Sequence, residues 1–427
     1  MSRYAAVLLM FAVTALAPAT AVRADETVVV TAGDQGFGLK SADGSFEFRV
    51  KGLLQADARF FAGDEQAFKD TFLLRRVEPS FEVTLGKLAF LKLLPQFAGD
   101  TTTISDVYGE LRFDPAATLR IGKFKAPFGL ENLQAAGALA FMERGLPTEL
   151  GAGRDFGVQL HGGLPGGGSY AVAWLNGSPD GRDAVASDTD DRKELAARLF
   201  FEPIRNFGFG IAGTTGRKAG ATTSTAGVTA STATAAFNNT LPRYRSPGQN
   251  TIFSYRSAST PADADTVVAA GDHTRWSPQL YFYRGPFGLL GEYAVSRQQV
   301  SLAGAPAELE HSAYQAVVSW VLTGESAGYR GVRPAVPYAS GSAGWGAFEI
   351  ALRHGAIEID DAAFPVYANP DTAVSTARAS GAGLSWYATA NVRLALNYER
   401  TAFEGGAPGG GDRDDESAVF SRVQLSF

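Results

Sequence analysis

The sequence predicts an all-β chain, a 16-stranded antiparallel transmembrane β-barrel with inward-folded loops. Three observations predict it. Apolar and polar residues alternate with a period of two through nearly the whole chain, the signature of strands with one oily and one wet face. Short turns alternate with long polar loops between these runs, as a membrane barrel requires at its two rims. No segment beyond the N-terminal stretch has the roughly 20 apolar residues of a membrane helix. A bilayer-embedded form of this chain therefore has to be a closed barrel, since only helices and barrels pair every backbone group in lipid.

Composition narrows the function classes. Of 427 residues, 45% are hydrophobic and 19% charged, which excludes a disordered chain. With no Cys there is no disulfide scaffold, thiolate metal site or Cys nucleophile. Four histidines, His161, His273, His311 and His354, are scattered without metal-ligand spacing. The net charge of -6 has the wrong sign for a nucleic-acid binder. Asp190-Asp191 and Asp360-Asp361 are adjacent loop acids, and Asn176-Gly177-Ser178 has no nearby His to serve as base. Gly166-Gly167-Gly168 is followed by neither helix nor Lys, so it is no phosphate loop. The expectation is a protein that is not an enzyme and uses no cofactor or metal.

The elements follow in order. Met1-Ser2-Arg3, the apolar run Tyr4 to Ala17, Pro18 and then Val22-Arg23-Ala24 spell a secretory signal peptide over 1–24. Residues 25–44 are expected to be a short periplasmic N-terminal segment, and 45–427 the barrel. In the first strand Phe46, Phe48, Val50, Leu54, Ala56, Ala58 and Phe60 share one parity, against Glu47, Arg49, Lys51, Gln55, Asp57 and Arg59. Strands are expected at 45–61, 69–85, 87–98, 103–113, 117–124, 155–163, 169–177 and 193–202. The second half supplies 206–215, 274–284, 287–300, 309–323, 345–359, 378–389, 391–403 and 416–427. An even number returns both chain ends to the periplasm. Tight-turn signals at Leu85-Gly86-Lys87, Asp114-Pro115-Ala116, Leu164-Pro165-Gly166, Gly285-Pro286-Phe287 and Ala390-Asn391 mark the periplasmic rim. The run Asn250 to Ser257 is assigned to a folded loop, since a seventeenth strand would spoil the parity. The last strand alternates through Val419, Val423, Leu425 and Phe427, and its terminal aromatic resembles the tag read by the barrel-assembly machinery.

Several blocks in order resemble the phosphate-selective porin O and P family of Gram-negative outer membranes. They are Lys51-Gly52-Leu53-Leu54-Gln55-Ala56-Asp57, Leu74-Arg75-Arg76, Ile121-Gly122-Lys123-Phe124-Lys125-Ala126-Pro127-Phe128-Gly129-Leu130-Glu131 and Glu143-Arg144. Gly285-Pro286-Phe287-Gly288-Leu289-Leu290-Gly291-Glu292-Tyr293, Leu322-Thr323-Gly324-Glu325, Gly346-Ala347-Phe348-Glu349, Ser385-Trp386-Tyr387 and Asn397-Tyr398 complete the set. The resemblance implies a homotrimeric outer-membrane porin for passive diffusion of small anions, phosphate or related oxyanions among them. Its partners would be outer-membrane lipid, small anionic or polar solutes and the barrel-assembly machinery, with no nucleic acid. It also implies that 125–154 is an inward-folded constriction loop. A weakly selective general diffusion porin and a non-conducting surface-adhesive barrel are the alternatives.

Three segments are expected to narrow the lumen: 125–154, 216–272 and Gly324 to Gly344. Guanidinium and ammonium groups suit oxyanions because their donors carry positive charge, and the guanidinium fork engages two oxygens at once. The anion-path candidates are Arg75, Arg76, Arg144, Lys125, Arg49, Lys51, Arg59, Arg243 and Arg245. The wall itself is nearly balanced in sign, so selectivity has to come from the narrowest part. The chain departs from the family's strongest anion binders at five positions. Leu53 replaces an Arg, Asn132 a Lys, and Ala135, Ala136 and Gly137 two serines and a Lys. Each loss of a charge-assisted donor forfeits about 1.5 to 3 kcal/mol, so tight phosphate binding is not expected.

Overall fold

Alternation does what the sequence implies: sixteen antiparallel strands close on themselves. The computed structural model describes residues 27–62, 70–184, 188, 190–220, 241–257, 266–341 and 343–427. The expected signal peptide at 1–24 lies outside the described residues. The strands are β1 (Phe46–Ala62), β2 (Thr71–Leu85), β3 (Ala89–Gln96), β4 (Thr103–Asp114), β5 (Ala117–Lys125), β6 (Arg154–Leu164), β7 (Gly168–Leu175) and β8 (Glu194–Ile204). They continue as β9 (Phe207–Ala219), β10 (Val268–Arg284), β11 (Phe287–Leu302), β12 (Ala305–Val321), β13 (Ala347–Glu358), β14 (Val374–Tyr387), β15 (Val392–Ala407) and β16 (Glu416–Ser426). Each pairs with its sequence neighbours, and β16 pairs with β1 from Ser417↔Ala62 to Ser426↔Leu53. That last ladder removes both sheet edges. Every expected strand is present.

The chain ends lock the seam. Gly52 N–H donates to the Phe427 carbonyl at 3.0 Å and Phe427 N–H to the Gly52 carbonyl at 3.1 Å. The Phe427 ring lies over Gly52, where a Cβ would sit 2.4 Å from its Cε1. A hairpin of Val28–Gly33 and Gly36–Ser41 extends the sheet below β1, pairing Phe37↔Val50 through Lys40↔Glu47. Its Phe37 meets the Phe427 ring edge-on at 5.5 Å.

Faces follow parity. Phe72, Ile121, Trp174, Ile211 and Leu352 are exposed on the outer surface, while Asp57, Glu78, Asp106 and Glu110 are buried inside. One departure matters for the lumen. Between Gln55↔Arg76 and Ala56↔Leu74 the register shifts, leaving Arg75 as the extra residue of a β-bulge. Strict alternation would send one of two consecutive arginines into lipid; the bulge turns both inward.

The lumen is not a simple water column. Among the described residues, three connecting stretches pack against its inner wall. Residues 126–153 between β5 and β6 contain a short helix, α1 (Leu130–Leu133), and single turns at Ala136–Ala138 and Leu146–Leu150. Residues 241–257 form a small hairpin, Arg243–Arg245 with Thr251–Ser254, that pairs with no barrel strand. In the connection from β12 to β13 at the periplasmic rim, Tyr329 reaches inward to the 126–153 loop. Phe128 and Leu150 of the first and Tyr244 and Phe253 of the second share one core with Val300, Leu309 and Ile357 of the wall. The wet inner face that the alternation implies is therefore interrupted along β11 to β13. Those inward apolar residues are covered by the inserted loops rather than by water.

Candidate functional site: the constriction cavity

The constriction loop is fixed to one side of the barrel by its own backbone. Arg353 donates to the Glu143 carbonyl at 2.8 Å, Arg393 to Leu139 at 2.6 Å and Arg422 to Met142 at 2.8 Å. In return Glu292 accepts from Leu130 N–H at 2.6 Å, and Asn397 accepts from Met142 N–H at 2.7 Å. These strands, β11, β13, β15 and β16, are thereby spent on holding the loop. Glu143 adds a charged tether, pairing with Arg59 at 2.6 Å and with Arg75 at 2.6 Å.

The free side faces β2 to β6. Between the loop and that wall lies a cavity of about 390 Å³. Arg76, Lys92, Arg120, Lys125, Arg144 and Arg154 line it against only two carboxylates, Glu78 and Asp106. A second cavity of about 420 Å³ continues toward the periplasmic turns and meets the first at Arg120, Lys125 and Leu133. It adds Arg198 and His161 and no carboxylate.

Pairing decides how much of this charge is available. Arg76 lies 3.2 Å from Glu78, Arg154 2.7 Å and Lys92 3.5 Å from Asp106, and Arg120 2.6 Å from Glu110. Lys125 and Arg144 differ. Lys125 Nζ donates to the carbonyls of Asn132 at 2.6 Å and Gln134 at 3.0 Å. Arg144 donates to the carbonyls of Glu131 and Gln134, both at 3.0 Å. Neither forms an ion pair among the described residues. Carbonyl oxygens position these two basic side chains without a carboxylate partner, so basic groups outnumber acidic ones around the cavity.

The sequence candidates separate into groups. Arg76, Arg144 and Lys125 come together in the cavity. Arg75 and Arg59 hold Glu143, and Arg59 is also 2.9 Å from Asp57. Lys51 pairs with Glu82 at 2.8 Å, and Arg49 pairs with Glu47, both toward the periplasmic end of β1. Arg243 and Arg245 lie on the small hairpin, exposed, with Arg245 N–H bound to Glu149 at 2.9 Å. Lys92, Arg120, Arg154 and Arg198 were not among the candidates. Alternation carried the signal for two of them, since Lys92 sits between outward Leu91 and Leu93, and Arg120 between outward Leu119 and Ile121. The positions that depart from the family pattern are placed too. Leu53, Ala135, Ala136 and Gly137 line the cavity, while the Asn132 amide braces the loop through the carbonyls of Phe128 and Ala152.

Comparisons with known proteins bear on the family and the fold. The family model described as phosphate-selective porin O and P matches residues 48–427. Porin O of Pseudomonas aeruginosa is 24% identical over 448 aligned positions, covering 98% of this chain and 97% of that protein. Among solved structures, the anion-selective porin from Comamonas acidovorans superposes with a TM-score of 0.53 at 10% identity, covering 90% of this chain and all of that one. The trimer form of OmpT from Vibrio cholerae gives 0.51 at 9% identity, with 90% of this chain and 100% of that chain covered.

Proposed function

This chain belongs to the phosphate-selective porin O and P family, and from that premise we propose that it passes small anions by diffusion along the cavity beside its constriction loop. It is an outer-membrane porin. One observation carries the anion preference: six cationic side chains against two carboxylates line the constriction, and two of the six, Lys125 and Arg144, are held by carbonyls alone. An anion entering a narrow pore sheds part of its water, and fixed cations replace that hydration. No energy source is needed, because a positive potential in a confined passage enriches anions by itself. Arg243 and Arg245 act at the outer mouth, steering anions toward the cavity. The working unit is a homotrimer, supported by the trimer form of a similarly folded porin, and the Phe427 strand is the segment read during insertion.

A second reading has its own observation. Leu53, Ala135, Ala136 and Gly137 line the cavity where the family's strong binders carry donors, so a weakly selective diffusion pore is the alternative. Purified protein in a planar bilayer under a tenfold KCl gradient separates the two. A zero-current potential near the chloride limit supports the anion path, and a value near zero supports the weakly selective pore. Absence of any conductance would leave the barrel as a surface-adhesive protein.

A further inference from the structure

We propose that the solute this constriction favours is an amphipathic organic anion, a carboxylate carrying an apolar chain or ring, rather than an inorganic oxyanion. The inference rests on the cavity being the anion path. Charge and oil sit side by side there. The Gln134 carbonyl collects Lys125 and Arg144 at 3.0 Å each, and the residues beside it in sequence, Leu133, Ala135 and Ala136, line the same cavity. The β-wall adds Leu53 and Leu94. Gly137 lies between Leu53 and Gln424, where an added Cβ would be 3.7 Å from Leu53 Cδ1 and 3.3 Å from Gln424 Nε2, and that amide is already engaged, donating to the Gly137 carbonyl at 3.1 Å. The leucine and alanine side chains of this lining offer no donor.

A phosphate ion has oxygens on every side and, once partly dehydrated, requires donors on every side; an oxygen turned toward leucine or alanine loses its water with nothing in return. A carboxylate concentrates its charge on two oxygens at one end. That end matches the Lys125–Arg144 pair, and the hydrocarbon remainder gains from the apolar lining. Burial of one methylene changes an equilibrium roughly two- to fourfold. The basic pair therefore selects for anions in general, and the apolar lining ranks them by their hydrocarbon content.

The test is block of chloride current through the reconstituted wild-type protein at pH 7 by acetate, hexanoate, benzoate and inorganic phosphate, with protein-free bilayers as the control for partitioning. Hexanoate and benzoate are expected to halve the conductance at concentrations about tenfold or more below those of acetate and of phosphate. The double variant Leu53→Ser/Ala136→Ser narrows the gap between hexanoate and acetate. Equal block by acetate and hexanoate, stronger block by phosphate than by hexanoate, or an unchanged gap in the variant overturns the proposal. A channel with no chloride preference instead defeats the anion path itself, whereas a chloride-preferring channel indifferent to chain length defeats only this inference.

Discussion

The guanidinium of Arg75 grips both oxygens of Glu143, through Nε at 2.6 Å and Nη2 at 2.9 Å, and so joins the bulge of β2 to the constriction loop. Arg59 and Arg422 approach the same carboxylate at 2.6 and 3.6 Å. Replacing Glu143 by Gln leaves Asp57 to pair Arg59 and Arg422 but gives Arg75 no counter-charge. Breaking such a buried pair costs about 3 kcal/mol. The expected result for Glu143→Gln is a loop that fluctuates, read as rapid flicker in single-channel current where the wild type shows steady conductance, with a lower denaturation midpoint.

Lys125 and Arg144 are expected to set the sign of selectivity. At about 4 Å in a water-filled passage one unit charge is worth on the order of 1 kcal/mol, so Lys125→Gln and Arg144→Gln should each lower the chloride-to-potassium permeability ratio by about twofold to fivefold. Arg75→Gln should lower it far less, since Arg75 does not line the cavity and Arg59 and Arg422 stay beside Glu143. Raising KCl from about 0.1 to 1 M shortens the screening length from about 10 to 3 Å and should weaken the wild-type preference toward that of the variants.

Tyr329, on the 322–346 connection, reaches the loop from the periplasmic side. Its hydroxyl donates to the Leu130 carbonyl at 2.6 Å, its own carbonyl accepts from Gln134 at 2.7 Å, and its ring stacks on Tyr281 at 5.2 Å. Tyr329→Phe removes one hydrogen bond of about 1 kcal/mol and keeps the stack. Current noise should rise modestly in Tyr329→Phe and strongly in Tyr329→Ala, which loses both. Equal noise in all three proteins would show that the connection does not support the loop.

Closure of the barrel depends on a missing side chain. Gly52 provides the flat seat for the Phe427 ring, and a valine there would put its Cβ 2.4 Å from that ring. Overpacking of this kind costs about 1 to 3 kcal/mol. Gly52→Val should therefore reduce the fraction that migrates as folded barrel in unheated detergent gels, whereas Gly291→Ala, where the added Cβ would meet only the Gln315 carbonyl oxygen at 3.8 Å, should lose much less.

How far the sequence could be read is visible in particular residues. The strands were legible because lipid outside and polar lumen inside impose a period of two, and Phe46 to Phe60 shows it plainly. The bulge was not, because Arg75 and Arg76 are both inward only through a register shift that no local residue announces. Val300, Leu309 and Ile357 were misleading for the opposite reason: they face inward yet are apolar, since a distant hairpin carrying Tyr244 and Phe253 covers them. The β11–β12 turn at Ala303-Gly304, with φ of 50° and 86°, is a two-residue hairpin link, shorter than the outer-rim loops on either side. In the site, Arg76, Lys125 and Arg144 were readable while Lys92, Arg120 and Arg154 were not, and which of the six lack a carboxylate partner was not. Lys125 and Arg144 stand out only once the carbonyls of residues 131, 132 and 134 are seen to hold them in place of carboxylates.

The central claim is that solutes pass between Ala135 of the loop and the β2–β6 wall, while the opposite side of the lumen is closed by packing. The chain has no native Cys, so single cysteines report access directly. Ala135→Cys lies exposed in the cavity, and Ala351→Cys lies on β13 packed with Phe141. A sulfonated methanethiosulfonate reagent added to the reconstituted channel should cut the current through Ala135→Cys and leave Ala351→Cys unchanged. Current lost at position 351 and spared at 135 would contradict the account.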